Sequence, residues 1–287
     1  MILKARLPFD FRLSAGISDE FDGRELHLPL RSESSAILAV ITEGLEEPEL
    51  EVELKSRGVL SDSETRSAEA TISRMLNLDM NLMDFYESID DVVLLRLSAG
   101  LKGLKVIHTQ SVFEALVCAI TEQQISLKLA MSIERRIAER FGESIDFKEK
   151  KYHVFPEPER LCSAEDLKRC GLSTRKAEYI RDISVAVMEG RFEPEMLREQ
   201  ERTESIIDEL CAFRGVGPWT AKMTVIRSMP RYDVFPSDDV GIRRCIAHYY
   251  FSGKRISPQE AEEVSARWGK YRGLAAYYLF RAILLGL

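Results

Sequence analysis

The sequence predicts an α+β protein: an N-terminal antiparallel sheet domain with helices, followed by a mostly α-helical body. Three observations predict this class. Apolar and polar residues alternate in four short segments before residue 56, which is typical of half-buried strands. From Val92 onward, apolar residues recur at helical spacing instead. Within the helical part, Gly215-Val216-Gly217-Pro218 separates two helical stretches by a short hairpin.

The first unit contains the predicted strands. The alternation falls on residues 2–7, 25–30, 36–41 and 50–54, and the turn-like stretches between them favour antiparallel pairing. Ser61 and Glu64 have the spacing of a capping box, in which each side chain bonds the other residue's amide. They predict a helix that runs to Leu76.

The helical part contains several predicted helix starts. Serines that precede apolar helical runs are the expected N-caps, namely Ser111, Ser126 and Ser173. Gln123 and Gln124 fall in the junction between the first two of these helices. Arg175 and Lys176 fall in the first turn of the third, where a cation opposes the helix dipole. We interpret both as solvated charges.

The hairpin is the most informative stretch. Thr203 is the predicted N-cap of the helix before it, and that helix must end before Gly215 because the glycines do not continue it. Pro218 suits the first turn of the following helix, which runs to Ser228. Free amides at such a helix start form a sequence-independent site for a phosphate oxygen. A third helix is predicted after Ser237-Asp238-Asp239.

Charge and cysteine content limit the setting. The 287-residue chain has a net charge of −7. Residues 41–95 hold 14 acidic and 4 basic side chains, whereas residues 240–287 hold 3 acidic and 8 basic ones. The acidity thus lies away from the hairpin, and the end of the chain can face phosphate. Five scattered cysteines without a C-x-x-C pair indicate a reducing compartment. With no signal peptide or membrane span in the sequence, we expect a cytoplasmic or nucleoid-associated protein.

The pattern L-x-x-F-x-G-V-G-P-W-T-A over 210–221, followed by Asp239, resembles the helix-hairpin-helix superfamily of base-excision DNA glycosylases. It is most similar to the AlkA-type 3-methyladenine DNA glycosylases, as are the stretches FEALVCAITEQQISLKLAMSIERRIAERF and GLSTRKAEYI. The resemblance covers 90–287 well and 1–90 weakly. It implies an N-terminal α/β domain over 1–95, a helical domain with the helix-hairpin-helix over 96–230, and a C-terminal helical lobe over 231–287 that carries the catalytic Asp.

The resemblance also implies the site residues. Asp239 matches the family's essential Asp, with Asp238 as a cap or supporting neighbour; without the resemblance, both are helix caps. Gln124 matches the side chain that enters the DNA minor groove, and the alternative is a merely exposed junction residue. The expected phosphate site comprises Gly215, Val216, Gly217, Trp219 and Thr220. The expected base pocket comprises Trp219, Met223 and Tyr271, with Trp268 close by. Core packing is the alternative for each of its aromatic residues.

Relatives that cleave the strand carry a Lys where this chain has Trp219. The resemblance therefore implies a monofunctional hydrolase, an N-glycosylase that removes alkylated purines such as 3-methyladenine and 7-methylguanine after base flipping, in base excision repair. We expect no cofactor, no iron–sulfur cluster and no metal site, apart from a monovalent cation at the hairpin carbonyls. The expected partner is double-stranded DNA with a damaged base, bound by a monomer without membrane contact. The alternatives are a glycosylase for 8-oxoguanine or hypoxanthine and a non-catalytic helix-hairpin-helix DNA-binding protein.

Overall fold

The computed structural model describes residues 1–32 and 35–287. Its first sheet has four strands, β1 (Ile2–Lys4), β2 (Leu26–Arg31), β3 (Ala36–Glu43) and β4 (Glu49–Ser56). They pair antiparallel throughout, in the order β1-β4-β3-β2. The predicted antiparallel sheet is confirmed, although the first strand ends at Lys4 rather than Leu7.

Helices form most of the rest of the chain, which confirms the α+β class. In chain order they are α1 (Phe11–Ala15), α2 (Asp62–Met75), α3 (Leu82–Ser88), α4 (Val92–Gly100), α5 (Val112–Glu122), α6 (Leu127–Phe141), α7 (Ala164–Arg169), α8 (Thr174–Met188), α9 (Thr203–Cys211), α10 (Pro218–Ser228), α11 (Val240–Tyr250), α12 (Pro258–Ala266) and α13 (Arg272–Leu285). Short 3-10 turns occur at Pro158–Leu161, Pro194–Glu199 and Gly269–Tyr271. Across the described residues, no helix is both long enough and apolar enough to span a bilayer.

Most predicted helix starts are correct. Ser61 and Glu64 form the reciprocal capping box of α2. The other predicted serine caps each accept an amide N–H three residues later, namely Ser111, Ser126 and Ser173. Thr203 is the exception, and its prediction as an N-cap is wrong. It is the first residue of α9 and is buried, so Arg202 takes the cap position without a side-chain bond.

Strand β3 is buried on both faces of the sheet. Along β3, Ile37, Ala39 and Ile41 point into a core shared with α1 and α2. The alternate residues pack against a second hairpin, formed by β5 (Ser144–Phe147) and β6 (Lys150–His153). The sequence does not predict this hairpin, because charged residues over 146–151 interrupt its short apolar alternation. The extra layer places the N-terminal sheet against the helical body.

Two apolar cores hold the helical body. One is built from residues 112–234. The other joins residues 82–106 to residues 235–282, so α3 and α4 pack with helices from the far end of the chain. Val234 belongs to the first core and its neighbour Phe235 to the second. The chain thus passes from one core to the other within a single peptide bond. The domain limits at residues 95 and 230 stay predictions.

The start of α13 packs closely against the segment that leads into this crossing point. Gly273 donates its N–H to the Tyr232 carbonyl oxygen at 2.7 Å. A Cβ atom added at Gly273 would lie 2.4 Å from the Val234 carbonyl oxygen, so only glycine allows this approach. The close contact fixes residues 232–234 against α13, shortly before Asp239.

We predict that Gly273→Ala destabilises the protein, because the new methyl group must push the 232–234 backbone away. The expected loss is about 1–3 kcal/mol in the free energy of unfolding, as for other overpacked sites. Urea unfolding followed by circular dichroism measures it. Gly58→Ala is the control, because a Cβ there meets open space and should change stability by less than about 0.5 kcal/mol. Equal effects of the two substitutions would contradict the prediction.

Candidate active site

The hairpin between α9 and α10 is held by its own backbone and by Tyr179 beneath it. The Val216 N–H donates to the Phe213 carbonyl oxygen at 3.1 Å, which closes the turn. Gly215 has φ +86°, a conformation that side chains with a Cβ rarely adopt. The ring of Tyr179 occupies the place of its missing Cβ, which would lie 2.1 Å from a ring carbon. Glycine is therefore required at position 215 both by the backbone conformation of the turn and by the close packing of Tyr179.

Free backbone donors remain at the start of α10. Gly217 is the N-cap, and no side chain caps the helix. The amides of Trp219 and Thr220 therefore lack an intrahelical acceptor. A Cβ at Gly217 would meet open space, so a ligand can approach the backbone there. This is the arrangement in which a helix start binds an anion.

Val216 and Thr220 support the hairpin from within. Val216 is buried in the first helical core, and its amide is already used in the turn. Thr220 is also buried, and its hydroxyl accepts a hydrogen bond from Gln123 Nε2 at 2.9 Å. Of the predicted phosphate site, Gly217 is exposed and Trp219 is half-buried, and neither amide has a cap partner at the start of α10.

The turn between α5 and α6 lies beside the hairpin. Gln123 Nε2 also donates to the Gly215 carbonyl oxygen at 2.8 Å, so one side-chain amide joins the two loops. The next residue, Gln124, has φ +58° and an exposed side chain. The structure therefore presents Gln124 at the tip of a turn that is anchored by its neighbour. Its role as the residue that enters DNA stays a prediction.

Asp239 links the start of α11 to the start of α10. One carboxylate oxygen, Oδ1, accepts the Ile242 N–H at 2.8 Å, as an N-cap does. The other, Oδ2, accepts the indole N–H of Trp219 at 3.0 Å. Asp238 is exposed, whereas Asp239 is half-buried. Asp239 is thus a helix cap and at the same time a carboxylate held beside the hairpin and an aromatic ring.

Comparisons with known proteins agree with this arrangement. The model of the HhH-GPD superfamily of base excision DNA repair proteins matches residues 117–270. The chain belongs to this superfamily. It is 33% identical to a DNA-3-methyladenine glycosylase of Bacillus subtilis over 215 residues, which are 74% of this chain and 71% of that protein. The predicted resemblance to the AlkA-type DNA glycosylases is confirmed.

Solved structures extend the likeness of this HhH-GPD protein over its whole length. A 3-methyladenine DNA glycosylase from Archaeoglobus fulgidus superimposes with a TM-score of 0.87 at 25% identity, covering 99% of this chain and 98% of that one. A Schizosaccharomyces pombe 3-methyladenine DNA glycosylase in complex with abasic DNA superimposes with a TM-score of 0.59 at 26% identity, covering 70% and 96%. These neighbours support DNA as the partner of this HhH-GPD enzyme.

The remaining predicted pocket residues of this HhH-GPD protein differ in their surroundings. Met223 lies on α10 one turn after Trp219 and is half-buried. Tyr271 is half-buried too, with its ring 5.5 Å from that of Phe85. Trp268 is only 7% exposed and packs edge-on against Phe235 in the second helical core. Core packing thus accounts for Trp268, and we leave it out of the proposed pocket.

A cleft of about 540 Å³ lies elsewhere, at the turn between α3 and α4. It is lined by Asp90, Asp91, Val92, Val93, Tyr250 and Arg267. In it the Tyr250 hydroxyl donates to Asp91 Oδ1 at 2.7 Å. The cleft contains none of the hairpin residues and does not include Asp239. We therefore place the candidate active site at Asp239 and the hairpin, not at this cleft.

The sequence interpretation missed Lys176. Its Nζ donates to the carbonyl oxygens of Thr121 at 2.7 Å and Gln123 at 2.6 Å, at the end of α5. Burial lowers the pKa of Lys176, and the nearby Glu122 carboxylate opposes that shift. The prediction of a solvated charge is therefore wrong for Lys176, whereas Arg175 is exposed as expected. The sequence does contain a signal for such a bonded side chain, because the helix dipole disfavours a cation in the first turn unless a partner compensates.

We predict that Gly215→Ala destabilises the protein, whereas Gly217→Ala leaves its stability nearly unchanged. At Gly215 the new Cβ meets the Tyr179 ring and the left-handed backbone is strained, so we expect a loss of about 1–3 kcal/mol. At Gly217 the Cβ points into open space, and the change should stay below about 0.5 kcal/mol. Urea unfolding of both variants measures the difference. A Gly217 variant as unstable as the Gly215 variant would contradict the hairpin geometry.

Proposed function

We propose that this chain is a monofunctional DNA glycosylase that hydrolyses the N-glycosidic bond of alkylated purines in duplex DNA, as a monomer in base excision repair. The substrates are purines such as 3-methyladenine and 7-methylguanine. The observation that carries the proposal is the Asp239 carboxylate, held 3.0 Å from the Trp219 indole nitrogen at the hairpin. The Bacillus subtilis relative is a DNA-3-methyladenine glycosylase, which supports the same substrate class.

The carboxylate fits the charge that the reaction develops. Breaking the bond between sugar and base gives the sugar oxocarbenium character, and a fixed carboxylate beside it stabilises that positive charge and orients the attacking water. Each oxygen of Asp239 already accepts one N–H, which fixes the plane of the group. Each oxygen also keeps a lone-pair direction for the sugar or the water. Asp239 can therefore act without first rearranging.

Trp219 has a second role as one wall of the base pocket. An N-alkylated purine is electron-poor or cationic, and it stacks well on an electron-rich indole. Such attraction is worth about 0.5–2 kcal/mol, depending on how much water is excluded. The bond from its N–H to Asp239 holds the indole in place. Met223, one turn along α10, and Tyr271 complete the proposed pocket.

The hairpin binds the DNA backbone in this proposal. The free amides of Gly217 and Trp219 bind a phosphate beside the lesion, and Gln124 fills the gap left by the extruded nucleotide. The carbonyl oxygens of Gly215 and Gly217 each accept one hydrogen bond, and a second lone pair on each remains for a cation. A monovalent cation at these carbonyls stays a prediction.

We predict that Asp239→Asn abolishes base release. The amide keeps the cap but loses the charge, so single-turnover release of 7-methylguanine from methylated duplex should slow by about 10²–10⁴-fold. Binding of the duplex should persist. Asp238→Asn is the matched control, because Asp238 is exposed, and it should keep the native rate. An active Asp239→Asn variant would refute the catalytic role.

The native protein is the reference for the alternatives. If it binds methylated duplex but releases no alkylated purine, duplexes with 8-oxoguanine or hypoxanthine are the next substrates. Release of either would identify a glycosylase of the same superfamily with another specificity. Release of no base at all would leave a DNA-binding protein without catalysis.

We predict that the native protein does not cleave the strand. Trp219 has no amine, and the nearest lysine on α10, Lys222, donates its Nζ to the Phe235 carbonyl oxygen at 3.1 Å. Borohydride added during turnover should therefore trap no covalent protein–DNA adduct, and strands should stay intact until alkali treatment. A trapped adduct that disappears in Lys222→Met would show a lyase activity and overturn the monofunctional assignment.

A further inference from the structure

Lys176 occupies a position that is unfavourable for a cation. It lies in the first turn of α8, where its own N–H donates to the cap residue Ser173. The positive end of the helix dipole disfavours an ammonium group there. The side chain is also half-buried, which removes part of its hydration. A compensating interaction must therefore hold it.

The end of α5 provides that interaction. The carbonyl oxygens of Thr121 and Gln123, at the negative end of the α5 dipole, accept two of the three ammonium hydrogens. The Gln123 carbonyl belongs to the peptide bond that leads into Gln124. That next residue adopts φ +58°, which is sparsely populated for residues other than glycine. Lys176 thus holds the peptide that sets the direction of Gln124.

Gln123 carries the constraint to the hairpin. Its side-chain amide donates to the Gly215 carbonyl oxygen at 2.8 Å and to Thr220 Oγ1 at 2.9 Å, so both amide hydrogens are engaged. Tyr179, one turn after Lys176 on α8, fills the space beside Gly215. The same face of α8 therefore fixes the Gln124 turn through Lys176 and the hairpin through Tyr179.

We propose that Lys176 is a positioning residue that acts through Gln123 to hold the Gln124 turn at a fixed spacing from the phosphate-binding hairpin, and so drives extrusion of the damaged base. The proposal rests on the proposed function. Lys176 itself contacts neither base nor sugar in this scheme. Its contribution is to keep Gln124 in place while the duplex is opened.

A positioning role of this kind has a specific signature. Extruding a well-paired nucleotide requires unstacking and unpairing, whereas a mispaired nucleotide leaves the duplex more easily. Misplacement of Gln124 should therefore slow release from a paired lesion more than from a mispaired one. A general loss of structure would slow both to the same extent.

We predict that Lys176→Met shows this signature. Methionine keeps most of the length of the side chain but donates no hydrogen bond. Single-turnover release of 7-methylguanine placed opposite cytosine should slow by about 10–100-fold, as for small misplacements in other active sites. With 7-methylguanine opposite thymine, the loss should shrink to roughly 3-fold or less, because the extrusion barrier is lower.

Three further variants sharpen the test. Arg175→Met removes the same charge from the neighbouring exposed residue and should keep the native rate with both duplexes. Gln123→Met should reproduce the Lys176→Met pattern, because it removes the side-chain hydrogen bonds that connect Gln123 to Gly215 and Thr220 in the hairpin. The double variant should then be no slower than the slower single variant, since the two residues act as a unit.

The outcomes separate this inference from the proposed function. Equal slowing with both duplexes, or no slowing with either, overturns the inference while base release by the native protein upholds the function. If the native protein releases no base, the proposed function fails. The positioning role of Lys176 is then tested by DNA binding alone. The native preference for a duplex with a tetrahydrofuran abasic site over an intact duplex should then be lost in Lys176→Met. If Lys176→Met keeps this preference, the inference is overturned. If Lys176→Met does not fold, Gln123→Met carries both comparisons.

Discussion

The carboxylate of Asp239 joins two separately built parts of this protein. One oxygen caps α11, which packs in the second helical core. The other accepts the indole N–H of Trp219 at the start of α10, which packs in the first helical core. A hydrogen bond to a charged group contributes only about 1.5–3 kcal/mol to stability. Because one planar group makes both bonds, however, the two helix starts cannot shift independently. One side chain therefore caps α11 and holds the Trp219 indole at the start of α10.

The hairpin gives this acidic protein aligned backbone donors of the kind that suit an anion. The chain carries a net charge of −7, yet the free donors at the start of α10 are neutral amides whose attraction for phosphate comes from their alignment. Acidic residues are concentrated in the segment 41–95. Overall charge is thus a poor guide here, because aligned backbone amides supply the local field at the start of α10, whereas many of the acidic side chains lie in a distant segment of the chain.

The sequence predicts elements whose signal is local. The strand alternation, the Ser61 capping box and the Gly215 turn all depend on residues close in the chain, and each has the expected form. The pairing of α3 and α4 with the C-terminal helices depends on distant residues and leaves no such pattern. The same holds for Lys176, whose acceptors lie on α5. The sequence also does not show that Trp268 is buried in the core, because a tryptophan of the core and one of a pocket look alike in sequence.

The passage of the chain between cores at Val234 and Phe235 gives the candidate active site an unusual sensitivity. Each of these neighbours is anchored in a different apolar core, and Asp239 follows within a few residues. The distance between that carboxylate and the hairpin consequently depends on how the two cores are placed relative to each other. Under the proposed function, a substitution that loosens either core shifts Asp239 relative to the hairpin and so changes the rate of base release.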